Sequence, residues 1–365
     1  MWPDRRLLDL LSLEVPIVQA PMAGSSGAEL AAAVSAAGGL GSLPCAMLDT
    51  QQVRAAVRKI RACTDRPINL NFFCHAAAPL DPAREDAWRA RLASYYAELG
   101  LDPQAPVPAA NRAPFDAEFA DAVAELKPAV ASFHYGLPAA ALLDRVKAAG
   151  CRVLSSATTV AEARWLEEHG ADAIIAQGSE AGGHRGNFLA DEASAQIGTL
   201  ALVPQVVDAV KVPVIAAGGI ADARGIAAAF ALGAAGVQMG TAYLLCPEAQ
   251  TGALHRAALK AARDDATTLT NVFTGRPARG FLNRLPREQG PLAAGIPQFP
   301  LAAGAVAPLR KAAEARGSAD FTPMWAGQGA GLGRELPAGE LTRTLVAQAL
   351  ARLAELAANR GPVPG

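Results

Sequence analysis

Residues 171–186, ADAIIAQGSEAGGHRG, bring together the residue types that could do chemistry. His184 carries a ring that titrates near pH ~6.5 when unperturbed, so it can accept or hold a proton at neutral pH. Gln177 offers an amide that both donates and accepts. Four glycines (Gly178, Gly182, Gly183 and Gly186) allow the backbone to approach a ligand closely. The stretch opens with the small and β-branched apolar residues 173–176, as a buried parallel strand would. Gln177 then falls where strand becomes loop and His184 near the loop's far end, which makes the stretch half of an active site.

The other half is expected in two later stretches, VPVIAAGGI at 212–220 and AGVQMGTAY at 235–243. They place Gly218-Gly219 and Gly240-Thr241 at the ends of two successive strands, where backbone N–H groups and the Thr241 hydroxyl can hold a phosphate. Turn glycines with no ligand are the competing reading of either stretch alone. Two such stretches in succession, preceded by the Gln177–His184 loop, favour the phosphate. Asn71, Gln177 and Gln238 are amides in strands or at their ends and suit the mixed donor–acceptor edge and ribityl hydroxyls of a flavin. Met22, at the end of the first strand, is a soft surface that could pack on a flat ring. A core-filling methionine and backbone-bonded amides are the alternatives.

The elements that must position these residues alternate. Short strands are expected at 15–20, 40–43, 67–73, 129–133, 151–155, 173–176, 213–216 and 235–239. Amphipathic helices are expected between them, for example 50–61 with Val53, Val57 and Ile60 on one face. Eight βα repeats indicate the α/β class and a (β/α)8 TIM barrel. A doubly wound sheet is the runner-up, but its phosphate loop should follow the first strand, and the richest loops here follow strands six to eight. The barrel is expected to occupy residues 1–248, with 74–112 as an insertion. Residues 249–323 read as a smaller subdomain over the active-site mouth, containing a β-excursion at 267–285 and a short helix at 309–315. Residues 324–365 read as a glycine loop and a closing C-terminal helix that packs back on the barrel.

Composition bounds the rest. The chain has 365 residues, is 51% hydrophobic and 18% charged, and carries a formal net charge of −1. It can bury a large core and has no basic footprint for nucleic acid or an anionic membrane surface. No run reaches the length of a membrane span and no signal-peptide pattern opens the chain. A cytoplasmic location is the expectation. The five cysteines stand singly with no C-x-x-C pair, as free thiols would. No His, Asp or Glu cluster has metal-ligand spacing, so no metal is expected. An alanine-rich barrel with a C-terminal helix is compatible with a homodimer.

With these motifs in place, VQAPMAG, NLNFF, AQGSEAGGHRG, VIAAGGI and GVQMGTAYL resemble those of the nitronate monooxygenases, formerly called 2-nitropropane dioxygenases, and MWAGQGAG near the C-terminus is similar as well. The resemblance implies an FMN-dependent barrel that oxidises alkyl nitronates with O2 to carbonyl compounds and nitrite, a detoxifying activity. It implies that His184 is the catalytic histidine, as base or as imidazolium partner of the nitronate. It further implies that Asn71, Gln177, Gly182, Gly219, Gln238, Met239, Gly240 and Thr241 hold FMN, with Met22 close by. His75 and His134 could line the same mouth. One segment departs from the family: where related members carry tyrosines and a lysine facing substrate, residues 298–309 here have Phe299, Ala303 and Ala307. That departure implies a more apolar pocket, less suited to a carboxylated nitronate. The alternative reaction on the same barrel is NAD(P)H-dependent reduction of a quinone or an enoyl thioester. A non-catalytic protein that binds a flavin or phosphate ligand is the reading from another class.

Overall fold

The computed structural model describes residues 1–106, 108, 112–190 and 196–358. Part of the 74–112 stretch and the last seven positions of the closing segment lie outside the described residues. Chain order runs α1 (Arg6–Leu11), β1 (Ile17–Gln19), α2 (Ala28–Ala36), β2 (Gly41–Pro44), α3 (Thr50–Arg61), β3 (Ile68–Phe73) and α4 (Pro82–Glu98). It continues with α5 (Ala117–Leu126), β4 (Val130–His134), α6 (Ala140–Ala148), β5 (Arg152–Ala157), α7 (Val160–Glu168), β6 (Ala173–Gln177) and β7 (Gly183–His184). Then follow α8 (Thr199–Ala209), β8 (Val214–Ala217), α9 (Ala223–Ala231), β9 (Gly236–Met239), α10 (Ala253–Lys260), β10 (Thr267–Thr270) and β11 (Ala278–Phe281). Three helices complete the chain: α11 (Arg284–Gln289), α12 (Ala302–Ala315) and α13 (Ala338–Ala358).

Eight strands form one parallel sheet in the order β1-β9-β8-β6-β5-β4-β3-β2. The sheet returns on itself: Ile17 pairs with Val237 on one side of β1, and Val18 bridges Leu40 on the other. This is the (β/α)8 barrel, with all eight expected strands present. Helix ends are defined by side chains that satisfy free N–H groups. Asp49 and Gln52 form a reciprocal capping box on α3, and Asp116, Thr159 and Asp222 cap α5, α7 and α9. The apolar layer between strands and helices holds Ile17, Val18, Ile174, Ile215, Val237 and Leu30, all fully buried. Leu7, Leu8 and Leu11 of α1 join it, so the N-terminal segment is part of the barrel core.

Three further units meet the strands and helices of these repeats. Helix α4 packs on α12 and the two share a separate core, in which Trp88 Nε1 donates to the Ala302 carbonyl at 3.4 Å and Tyr96 Oη to the Ala305 carbonyl at 2.6 Å. Helix α12 begins at Ala302, seven positions before the helix expected from sequence, and carries Pro308 inside it. Helix α13 packs against α2 and α9, where Tyr243 Oη and Thr342 Oγ1 lie 2.9 Å apart in the interior. The late β-excursion is a hairpin, with β10 antiparallel to β11, and β11 in turn pairs with β7.

Candidate active site

Strand β6 ends at Gln177, and the chain then turns through 178–183 to reach β7. Alternation along this two-residue strand and its continuation does the positioning. His184 faces a large cavity, while Arg185 points inward and is fully buried. The Arg185 guanidinium donates to the carbonyl oxygens of Gln177 and Gly178 and to Gln196 Oε1. Gln177 clamps the loop from the other side: its Nε2 donates to the His184 carbonyl at 3.0 Å and its Oε1 accepts from Gly186 N at 2.8 Å. Ala278 of β11 pairs with His184, and Pro277 O accepts from Arg185 N at 2.9 Å. The histidine is therefore held on a sheet edge, where sequence reading had placed it in a polar loop.

The cavity encloses about 1380 Å³ free of protein atoms, counting its open mouth. It lies at the C-terminal ends of the barrel strands. Met22, Asn71, Gln177, Gly182, His184, Gly219, Gln238, Gly240 and Thr241 all line it. Met239 does not: it is fully buried, and its carbonyl accepts from Ala20 N at 2.8 Å. Strand alternation turns Gln238 to the cavity and Met239 to the core. Gly218 (φ +122°) and Gly219 (φ +68°) make the turn after β8 in conformations that L side chains rarely adopt.

Gly182 has a different physical reason. A Cβ there would lie 2.5 Å from Gly327 N and 2.6 Å from the Ala326 carbonyl carbon, so bare backbone passes bare backbone. Gln328 N donates to Glu180 O at 3.0 Å, and Gly327 N to Thr241 Oγ1 at 2.9 Å. The glycine loop near residue 327 is thereby stitched to the end of β9 as well. Glu180 in turn accepts from Thr199 N and Oγ1 and caps α8.

Around His184 stand four aromatic rings and a second histidine. Phe299 and Trp325 have ring centroids 5.2 and 5.4 Å away and Phe73 6.4 Å. Tyr135 packs on Phe73 at 5.1 Å. His134, from the end of β4, lies with Nδ1 2.7 Å from Ser156 Oγ and Nε2 3.3 Å from the His184 carbonyl oxygen. His184 Nε2 lies 2.9 Å from Thr274 Oγ1. Burial first, then the charges of Arg112 and neighbouring groups, hold the His184 ring well below the usual imidazole range. Burial likewise pushes His134 down to about 3 and His75 to about 4. At neutral pH the His184 ring is therefore held uncharged.

Sequence reading missed Thr274, Trp325 and Arg112. All three come from outside the eight βα repeats, and only the TGRP turn at 274–277 and the MWAGQG run hinted at two of them. The five cysteines are all unpaired, with Cys45, Cys151 and Cys246 buried. Among the described residues no group of three His, Cys, Asp or Glu could hold a metal, and no helix is long and apolar enough to cross a membrane.

Comparison with known proteins gives a consistent picture. A family model described as nitronate monooxygenase matches residues 4–348. A nitronate monooxygenase of Pseudomonas aeruginosa is 48% identical over 345 residues, covering 93% of this chain and 98% of that protein. Another, from Paraburkholderia phytofirmans, is 43% identical over 352 residues, covering 93% and 94%. Among solved structures, a nitroalkane oxidase from Streptomyces ansochromogenes superposes with a TM-score of 0.86 at 39% identity, covering 96% of this chain and 99% of that one.

Proposed function

Because the chain belongs to the nitronate monooxygenase family, we propose that it oxidises alkyl nitronates, and nitroalkanes once they lose a proton, by O2 to carbonyl compounds and nitrite, with FMN as its cofactor. The observation that carries this reading is a neutral histidine facing a cavity that strand-end glycines and Gln238, with its unpartnered amide oxygen, also line. FMN supplies the redox chemistry when bound, taking electrons from the substrate and passing them to O2.

The residues present fit that cofactor. Gln238 Oε1 is buried with no hydrogen-bond partner and lines the cavity, so it lacks a donor such as a ring N–H. Gly219 and Gly240 offer backbone without a Cβ at the ends of adjacent strands, a cradle for a phosphate. The Thr241 hydroxyl accepts from Gly327 N and keeps its own hydrogen to donate. Met22 and Asn71 complete the wall, while Gln177 and Gly182 act through the loops they shape. Met239 would contribute only through its backbone.

His184 has a clear task. Thr274 Oγ1 lies 3.5 Å from the Arg276 carbonyl oxygen, and a hydroxyl hydrogen directed there leaves the oxygen to accept from Nε2, the tautomer that keeps a lone pair on Nδ1. That lone pair takes the proton from the carbon next to a neutral nitro group. A nitronate has already lost it, so His184 matters less there.

The test is anaerobic addition of ethylnitronate to the purified flavin-loaded protein, with NADPH in a parallel cuvette. Flavin bleaching by nitronate, followed by nitrite release when air is admitted, supports the reading. Rapid bleaching by NADPH without a response to nitronate moves it to the reductase alternative. The variant His184→Asn should lose about 10²- to 10⁴-fold in turnover of nitroethane and far less with ethylnitronate. Unchanged nitroethane turnover would remove His184 from the mechanism. Gel filtration coupled to light scattering tests the homodimer, and cell fractionation the cytoplasmic location.

A further inference from the structure

We propose that Arg112 is the group that recognises the substrate's negative charge, gripping the nitronate oxygens beside His184. This inference rests on the functional reading above and adds the charge partner that His184 does not provide.

Arg112 is the single arginine or lysine among the residues that line the cavity, and no aspartate or glutamate lines it. Its guanidinium carbon stands 5.8 Å above the Phe299 ring, and Phe299 is the neighbour of His184. No ion-pair partner accompanies it among the described residues; Tyr135 and a second cation, Arg310, act on its charge, and its charge in turn acts on His184 and His75. Burial opposes its charge, as expected for a cation drawn out of water without a counterion.

The surroundings repeat the pattern. The Arg276 guanidinium lies 4.1 Å from the Tyr135 ring centroid; one nitrogen donates to the Asn187 carbonyl, while Nε is buried without a partner. Tyr135 Oη and His75 Nδ1 are also buried and unpartnered. Two guanidinium groups, Arg112 and Arg276, thus act on His184, and no carboxylate lines the cavity to answer them. The missing element is an anion.

Its shape follows from the donor. A guanidinium presents N–H groups in a planar fork that matches two oxygens on one atom. The two oxygens of a nitronate carry the charge of the reacting molecule, and His184, held neutral, cannot balance it. Arg112 therefore distinguishes a nitronate from its neutral nitroalkane. Arg112 brings this cation to the cavity from the stretch that follows β3.

Inorganic nitrate is a suitable probe, being a planar anion with the outline of a nitronate head. Its binding to the flavin-loaded protein is measured by titration calorimetry for the native chain, Arg112→Met, Arg112→Gln and Arg112→Lys, alongside kinetics with ethylnitronate and nitroethane. Equal flavin content and circular dichroism certify the fold of each variant, and the lysine variant serves if the others do not fold. Expected are a loss of nitrate affinity and a rise in KM for ethylnitronate, each of about tenfold or more, in the methionine and glutamine variants. The lysine variant should recover part of both. The KM for nitroethane should hold, and kcat for ethylnitronate should change little. Nitrate that binds the methionine variant as well as the native chain, or does not bind the native chain at all, overturns the inference. So does an equal rise in KM for nitroethane. If Arg112-dependent nitrate binding appears in a protein that oxidises no nitronate, the functional reading fails and the anion site stands. If nitronates are oxidised with a KM indifferent to Arg112, the reverse holds.

Discussion

Replacing Thr274 by valine keeps the shape of the side chain and deletes one hydroxyl. That hydroxyl lies 2.9 Å from His184 Nε2, in a wall otherwise made of Phe299, Trp325 and Phe73. The variant leaves a buried ring N–H without an acceptor, at a cost of about 1–3 kcal/mol. Spread over a chain of 365 residues, this lowers Tm by only about 1–4 °C. The chemistry should suffer more, because the ring can recover the loss by turning or by moving its hydrogen to Nδ1, and either change withdraws the lone pair from the substrate. Turnover of nitroethane is expected to fall about 10- to 100-fold, part of the range that a positioned base provides. Ethylnitronate turnover should fall by less than about threefold, since no carbon-bound proton remains to be taken. Thr274→Ser should restore most of the nitroethane rate. Steady-state kinetics with both substrates, with thermal unfolding in parallel, make the check. A variant that loses its few degrees of Tm but keeps native nitroethane turnover would refute the positioning argument and leave Thr274 a packing residue.

Two further outcomes follow from other parts of the molecule. His75, His134, His184 and His255 are all held below the unperturbed imidazole value, mainly by burial, His255 to about 4. The unfolded chain takes up these protons near pH ~6.5 and the folded chain refuses them until much lower pH. The stability they protect is complete above ~6.5 and falls as pH drops toward 4, by about 1.4 kcal/mol per pH unit for each histidine. Urea midpoints at pH 7.5 and 5.5 should differ accordingly, and equal midpoints would mean that these rings titrate normally. Gly182→Ala drives a Cβ to 2.5 Å from Gly327 N, where neither side is a flexible side chain. Loop separation should weaken flavin retention at least about tenfold and lower Tm, as read by ultrafiltration and calorimetry, whereas native retention would show that the two loops part freely.

The barrel was legible because its signal repeats. Several strands are short apolar runs that end at a glycine or an amide, as at Gln19, Gln177, Gly218 and Gly240, so Ile174, Ile215 and Val237 fell into place together. The cavity lining was legible where it lies on those repeats, at Asn71, Gln177, Gly219, Gln238 and Gly240. Met239 was placed in the site by its motif although strand parity alone turns it to the core. Strand β7 left no trace, because two residues have no period and its pairing with β11 spans more than ninety positions. Thr274 and Arg112 were obscured for the same reason: they reach the cavity from outside the repeats. Helix α12 was read as starting after Pro308, because proline inside a helix usually marks a start or a break, yet packing against α4 carries it through.

The pairing of His184 with Ala278 also bears on how the protein is made. A ribosome delivers residue 278 only after β9, the eighth barrel strand, and a fragment ending at residue 260 would hold all eight parallel strands with β7 unpartnered and without α13, the helix that packs on α2 and α9. Domains form from the N-terminus during synthesis. A nascent chain can therefore carry all eight strands before the hairpin arrives to pair with the strand of His184, and α13 covers α2 and α9 only after that. The pairing of His184 is thus a late step of assembly, and a chain truncated within the hairpin would carry His184 on an unpaired strand.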